Sequence, residues 1–160
     1  MELCKKYPFL IPWNRRSGTL ITEGQSYGYW PGTAIEVPKY DFEYTELDMM
    51  PEGWRIAFGE KMCEEIKDAL LREGGETALH EYRIADIKEK FGCLCWYDYY
   101  SSEEIEMIIR KYELISMNTC INCGKEATRV TTGWISPYCD ECCEGEPSVP
   151  LDEWLQYAHV

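Results

Sequence analysis

Cys120-Ile121-Asn122-Cys123 and Cys139-Asp140-Glu141-Cys142 place four thiols in two pairs, each pair with a two-residue spacer and 15 residues between the pairs. Thiolates are soft ligands that suit Zn2+, and this spacer lets both sulfurs of a pair reach one ion from a tight turn. Gly124 follows the first pair, where a knuckle turn needs a left-handed residue. The spacing predicts one structural, tetrahedral Zn2+ on Cys120, Cys123, Cys139 and Cys142. Cys143 abuts the second pair, and a three-residue spacer from Cys139 leaves it open as a replacement for Cys142.

Other chemistries fit less well. A zinc deaminase pairs H-x-E with P-C-x-x-C, but Tyr138 separates Pro137 from Cys139, and Glu81 follows His80 with no spacer. A closed four-sulfur set also has no position for a reactive water. His80 and His159 are the only histidines, and His80, beside Glu76 and Glu81, reads as a surface residue near a helix end. There is no P-loop, dinucleotide fingerprint or nucleophile elbow. The sequence therefore shows no catalytic constellation, and a catalytic role ranks last among its readings. One further candidate site is a basic-aromatic corner, Lys5, Lys6, Trp13, Arg15 and Arg16, which could hold a phosphate or nucleotide by charge and stacking, or could simply anchor a loop.

Charge narrows the partners. The chain has 160 residues with 29 Asp and Glu against 16 Lys and Arg, a formal net charge of −13. Such a field repels nucleic acid at long range and disfavours non-specific binding to it. Between the cysteine pairs, Lys125, Arg129, Thr131, Thr132 and Trp134 could still contact nucleic acid locally, although Glu126, Asp140, Glu141, Glu144 and Glu146 outnumber those bases. Nine cysteines would suit a disulfide framework, but the count is odd and four have metal spacing, so reduced thiols are expected. Cys4, Cys63, Cys93 and Cys95 read mainly as small buried hydrophobes. No apolar run approaches the roughly 20 residues of a membrane helix, and Met1-Glu2-Leu3-Cys4-Lys5-Lys6 lacks a signal-peptide core, so a cytoplasmic location is expected.

The elements that must position these groups follow from periodicity. Prolines and glycines break up residues 1–50, where extended loops and short strands are expected. The aromatics there (Tyr7, Phe9, Trp13, Tyr27, Tyr29, Trp30, Tyr40, Phe42 and Tyr44) should wrap a core built by later elements. Trp54, Phe58, Met62, Ile66 and Ala69 or Leu70 predict an amphipathic helix over about 51–73, with Pro51 in its first turn and Gly74-Gly75 as its stop. Residues 82–100 predict a hairpin turning near Lys90 to Gly92. Ser101 with Glu104 offers a capping box for a second helix carrying Ile105, Ile108, Ile109, Tyr112 and Ile115 or Ser116 to about Met117. That helix runs almost directly into Cys120, predicting a module coupled rigidly to the core. Within the module, residues 127–136 around Gly133 read as a short hairpin. The fold class is thus α+β: a core of two amphipathic helices and a β-hairpin over 1–117, a zinc-ribbon-like module over 118–145, and a tail over 146–160 with one docked helical turn.

Four segments carry a resemblance: Met50-Pro51-Glu52-Gly53-Trp54, Ile87-Lys88-Glu89-Lys90-Phe91-Gly92, Cys120-Ile121-Asn122-Cys123-Gly124, and Gly133 through Cys142. In this order the chain resembles a family of uncharacterised bacteriophage and prophage proteins, over roughly residues 50–143. The resemblance implies a shared fold and a viral or mobile-element origin, and brings no catalytic residues. Cys93 and Cys95 depart from it, since relatives often hold Gly or Thr and Arg there. The functional expectation is a small acidic zinc-binding protein that binds and modulates a host component, with a phage or host protein as partner and anti-defence as one setting. The alternatives are a nucleotide-signal-sequestering protein and a zinc-ribbon accessory protein that binds nucleic acid.

Overall fold

A strict apolar step of four, Trp54, Phe58, Met62, Ile66 and Leu70, overshoots the 3.6-residue turn of an α-helix by about 40° at each step. The chain widens at the first of these steps and keeps the later ones in α-helix. In the computed structural model, which describes residues 2–18, 20, 44–100 and 102–158, helix α2 (Glu52–Trp54) passes into a π-helical turn, Arg55–Gly59, and then into α3 (Glu60–Glu81). All five side chains of the stripe are buried. Pro51 is the N-cap of this rod and lies outside its first turn. The expected stop is also only partial: Gly75 breaks the helix with φ 64°, and a second short helical stretch continues to Glu81.

The rest of the core packs on this rod. Strands β1 (Ile84–Lys90) and β2 (Cys93–Asp98) form the expected antiparallel hairpin, pairing Ile87 with Trp96 and Glu89 with Leu94. Its two-residue loop, Phe91-Gly92, has positive φ at both positions (51° and 78°), the pattern of a type I′ turn. Helix α4 (Glu103–Ser116) buries Ile105, Ile108, Tyr112 and Ser116. Ser101, the expected cap, lies outside the described residues; Ser102 Oγ accepts from the Ile105 N–H. Ser116 Oγ accepts from the Leu94 N–H at 2.8 Å, so the end of α4 closes the outer edge of β2.

The N-terminal segment wraps this core as its aromatics predict, but partly as helix: α1 (Glu2–Lys6) is followed by a 3-10 turn at Pro8–Leu10. Tyr7, Phe9, Leu10 and Trp13 are buried. Tyr27, Tyr29, Trp30, Tyr40 and Phe42 lie outside the described residues. A second 3-10 turn, Glu46–Met49, adds Leu47 to the core.

The C-terminal module is a three-stranded antiparallel sheet in the order β4 (Pro137–Tyr138), β3 (Arg129–Thr131), β5 (Ser148–Pro150). Helix α5 (Leu151–Tyr157) lays Leu151, Trp154 and Leu155 on Ala127, Val130 and Ile135. A hairpin lies between the cysteine pairs as expected, but its second arm is Pro137–Tyr138, beyond the 134–136 segment the sequence suggested. The segment read as a tail from residue 146 supplies the third strand and a two-turn helix of the same small core. The chain is α+β, and no helix among the described residues is long and apolar enough to cross a membrane.

Candidate metal centre

Each cysteine pair sits on a turn of the same design. The Gly124 N–H donates to the Cys120 carbonyl and the Cys143 N–H to the Cys139 carbonyl, both at 3.0 Å, so the second cysteine of each pair folds back toward the first. The Ile121 N–H donates to the Pro137 carbonyl at 2.9 Å, which joins the first turn to β4 and brings the two pairs together. Cys120, Cys123, Cys139 and Cys142 thereby offer four sulfurs within 4.8 Å of one another, with Cys123 and Cys139 at 3.6 Å. These four can hold one metal ion. Cys143, although adjacent, is buried at 4% exposure and stands outside the group.

The electrostatics suit a cation at the centre. Burial opposes ionisation of Cys120, but the backbone N–H groups of Cys139, Cys123 and Asn122 point at its sulfur and bring it down to about 7. Cys123 shows the opposite balance: the Lys125 N–H lowers it, yet burial and the sulfurs of Cys120, Cys139 and Cys142 push it up to about 12. Four sulfurs this close cannot all carry charge without a positive ion among them. Around them, Asn122 Nδ2 donates to Cys142 Sγ at 3.3 Å, and Lys125 pairs with Glu141 at 2.8 Å across the two turns. Such outer contacts hold ligand sulfurs in place.

The centre is joined to the core at two places. Gly53 and Gly124 meet backbone to backbone: a Cβ on Gly53 would lie 2.3 Å from the Cys120 carbonyl oxygen, and one on Gly124 would lie 2.6 Å from that of Gly53. The approach allows the Gly53 N–H to reach the Ile121 carbonyl at 2.9 Å. Next to it, the buried Trp54 indole donates to the Thr119 carbonyl, also at 2.9 Å. At the second place, Gly92 of the hairpin turn packs on Ile135 and Pro137. One carboxylate spans this junction, with Glu89 Oε1 accepting from the Gly92 N–H at 2.6 Å and Oε2 from Trp134 Nε1 at 2.9 Å. The sequence pointed to rigid coupling through the short 117–120 link. It gave no hint that Gly53 and Glu89 make the joints, since both contacts depend on residues distant in the chain.

The basic-aromatic corner is distributed over separate networks. Lys5 pairs with Glu2, and Lys6 bridges Glu60 and Glu64, which also accept from the Tyr7 hydroxyl. Arg15 forks onto Glu46 at 2.7 and 2.8 Å and also donates to the Trp13 carbonyl. Glu46 is fully buried, so Arg15 neutralises a charge inside the protein. Trp13 is buried with its indole N–H on the Ile84 carbonyl. Arg16 is exposed, and its backbone N–H bonds Asn14. Cys4 and Cys63 are buried, as their type suggested, whereas Cys93 and Cys95 are half-buried. His80 is exposed near the end of α3, with Nδ1 2.8 Å from the Glu76 carbonyl oxygen. Comparison of the chain with protein-family models, with curated proteins and with solved structures returns no match.

Proposed function

We propose that the four cysteines hold one structural zinc ion and that the chain acts as an acidic binding protein on a basic surface of another protein. A tetrahedron with Zn–S bonds of about 2.3 Å has edges of about 3.8 Å, close to the Cys123–Cys139 separation. Zinc has no redox chemistry of its own and, inside four sulfurs, no position open to substrate. The ion in this reading builds a zinc ribbon and does no catalysis.

The observation that carries the binding role is the charge of the finished surface. Ten Lys and Arg side chains among the described residues are already paired with carboxylates of the same molecule, among them Arg15, Arg55, Arg72 and Lys111. The surplus carboxylates set the long-range field, which accelerates encounter with a basic partner and repels polyanions. The resemblance to phage and prophage proteins supports a host protein as that partner. The nucleotide-sequestering alternative draws no support from Arg15, whose fork Glu46 occupies.

Elemental analysis should find one zinc per chain, and immobilised protein should retain a host protein from bacterial lysate. That partner should elute near 1 M NaCl, where the Debye length falls to about 3 Å. Absence of zinc would remove the ribbon, and absence of any salt-sensitive partner would remove the binding role.

A further inference from the structure

The hairpin turn departs from its local rules. Type I′ positions favour Asn, Asp and Gly, yet Phe91 takes the first of them at φ 51° and leaves its ring 68% exposed. A bulky side chain in the left-handed region is strained, and with its ring largely exposed that strain is not offset by burial. Across the junction, Trp134 is 77% exposed, but its indole is oriented by the bond to Glu89. Among the described residues it makes no ring-stacking or cation contact with another side chain. Lys90 already lies 5.8 Å from the Phe91 ring centroid, so the Trp134 indole is the open aromatic face.

We infer that Trp134, with Phe91 beside the same joint, is the anchor of the partner-binding surface, and that it receives an arginine-rich segment of a protein. This rests on the binding role proposed above. Charge complementarity selects the occupant. Residues 118–160 carry seven acids (Glu126, Asp140, Glu141, Glu144, Glu146, Asp152 and Glu153) against two bases. Both bases are engaged, Lys125 by Glu141 and Arg129 by Ser148. A guanidinium stacks on an indole face and forks onto carboxylates, whereas a nucleic-acid strand would bring phosphates against this surplus of acids. Exposed, pre-oriented Trp is also the residue type that most often dominates a protein interface. Because Glu89 holds the indole before binding, little rotamer freedom is lost on contact.

The test uses the zinc-loaded full chain titrated with an arginine–glycine repeat peptide, a lysine–glycine peptide of equal length and charge, and single-stranded DNA. The arginine peptide should bind most tightly. Trp134→Ala should weaken it about tenfold or more, with metal content unchanged and thermal stability lowered only by the lost bond to Glu89. Phe91→Gly should also weaken it without loss of stability, since glycine suits the turn. Unchanged peptide affinity in Trp134→Ala would overturn the anchor while leaving the binding role intact, provided the lysate partner is still retained in a salt-sensitive way. Failure of the arginine peptide to bind the wild type, or preference for the lysine peptide, would overturn the partner chemistry. Trp134-dependent binding of the DNA would overturn it in favour of nucleic acid.

Discussion

The core around Trp54 and the four-cysteine module reach order by different routes. Twenty-three buried residues form the larger cluster, from Cys4 to Tyr112, whereas three, Ala127, Val130 and Leu151, form the module's own. Burial of a large aliphatic or aromatic side chain contributes about 1.5–3 kcal/mol, so the larger cluster can offset the ordering of its chain and the smaller one cannot. The module has strands of two and three residues, too short to stand alone. On the proposed reading, its cohesion comes from a metal ion on the four cysteines and from the two joints to the core. On that same reading, the cysteines matter chiefly for where they hold the Trp134 surface relative to the hairpin.

The comparison can be broken most severely at the ligands. Cys120→Ser or Cys139→Ser removes one sulfur of four, and structural zinc in isolated fingers is worth about 10–16 kcal/mol. Far-UV circular dichroism with metal analysis should show loss of metal and of ordered structure in residues 118–157, with most helix signal from α3 and α4 retained. Next, Arg15→Ala tests the core alone. It leaves Glu46 buried without its cation, and urea unfolding should register a loss of about 3–5 kcal/mol with the metal still bound. Gly53→Ala strikes the joint, because its Cβ would need space already held by the Cys120 and Ile121 carbonyl groups. A loss of about 3 kcal/mol or more is expected, and core and module should lose cooperativity together.

The smallest effect concerns pH and stays within the core. Burial raises the Asp98 carboxyl, more than the hydrogen bonds from the Tyr82 hydroxyl and the Tyr100 N–H lower it. The folded state therefore holds this proton at pH values where the unfolded chain, near 3.9, has released it. Stability from this site is greatest below the unfolded value and is lost as pH rises through the folded one. Asp98→Asn keeps an acceptor for Tyr82 and should remove that slope. The difference in unfolding free energy between variant and wild type should grow with pH and then level off, at about 1 kcal/mol or less.

What the sequence made legible was local. The burial of Trp54, Phe58, Met62, Ile66 and Leu70 follows from their spacing, and the cysteine cluster follows from two spacers and a glycine. The π-helical turn at Arg55–Gly59 was not legible, since apolar steps of three or four suit an ordinary α-helix, as Met62, Ile66 and Leu70 show in α3. Less legible were features set by partners far along the chain. Arg15 read as an anion site because Glu46, 31 positions away, gives no sequence sign of being buried beneath it. Ser148–Pro150 read as tail because Pro147 and Pro150 suggest a loop, yet proline is tolerated on an edge strand such as β5. Gly53 fell inside the first turn of the predicted helix; its use as a contact surface for Gly124 appears only in three dimensions.

Amide hydrogen exchange with and without a strong zinc chelator tests most directly whether the proposed zinc clasp orders the module on a core stable without it. Chelation should abolish protection throughout 118–157 and at Gly53, while Met62 to Leu70 and Ile105 to Tyr112 stay protected. Protection of 118–157 that persists once the metal is gone, or collapse of the α3 and α4 amides along with it, would contradict the account.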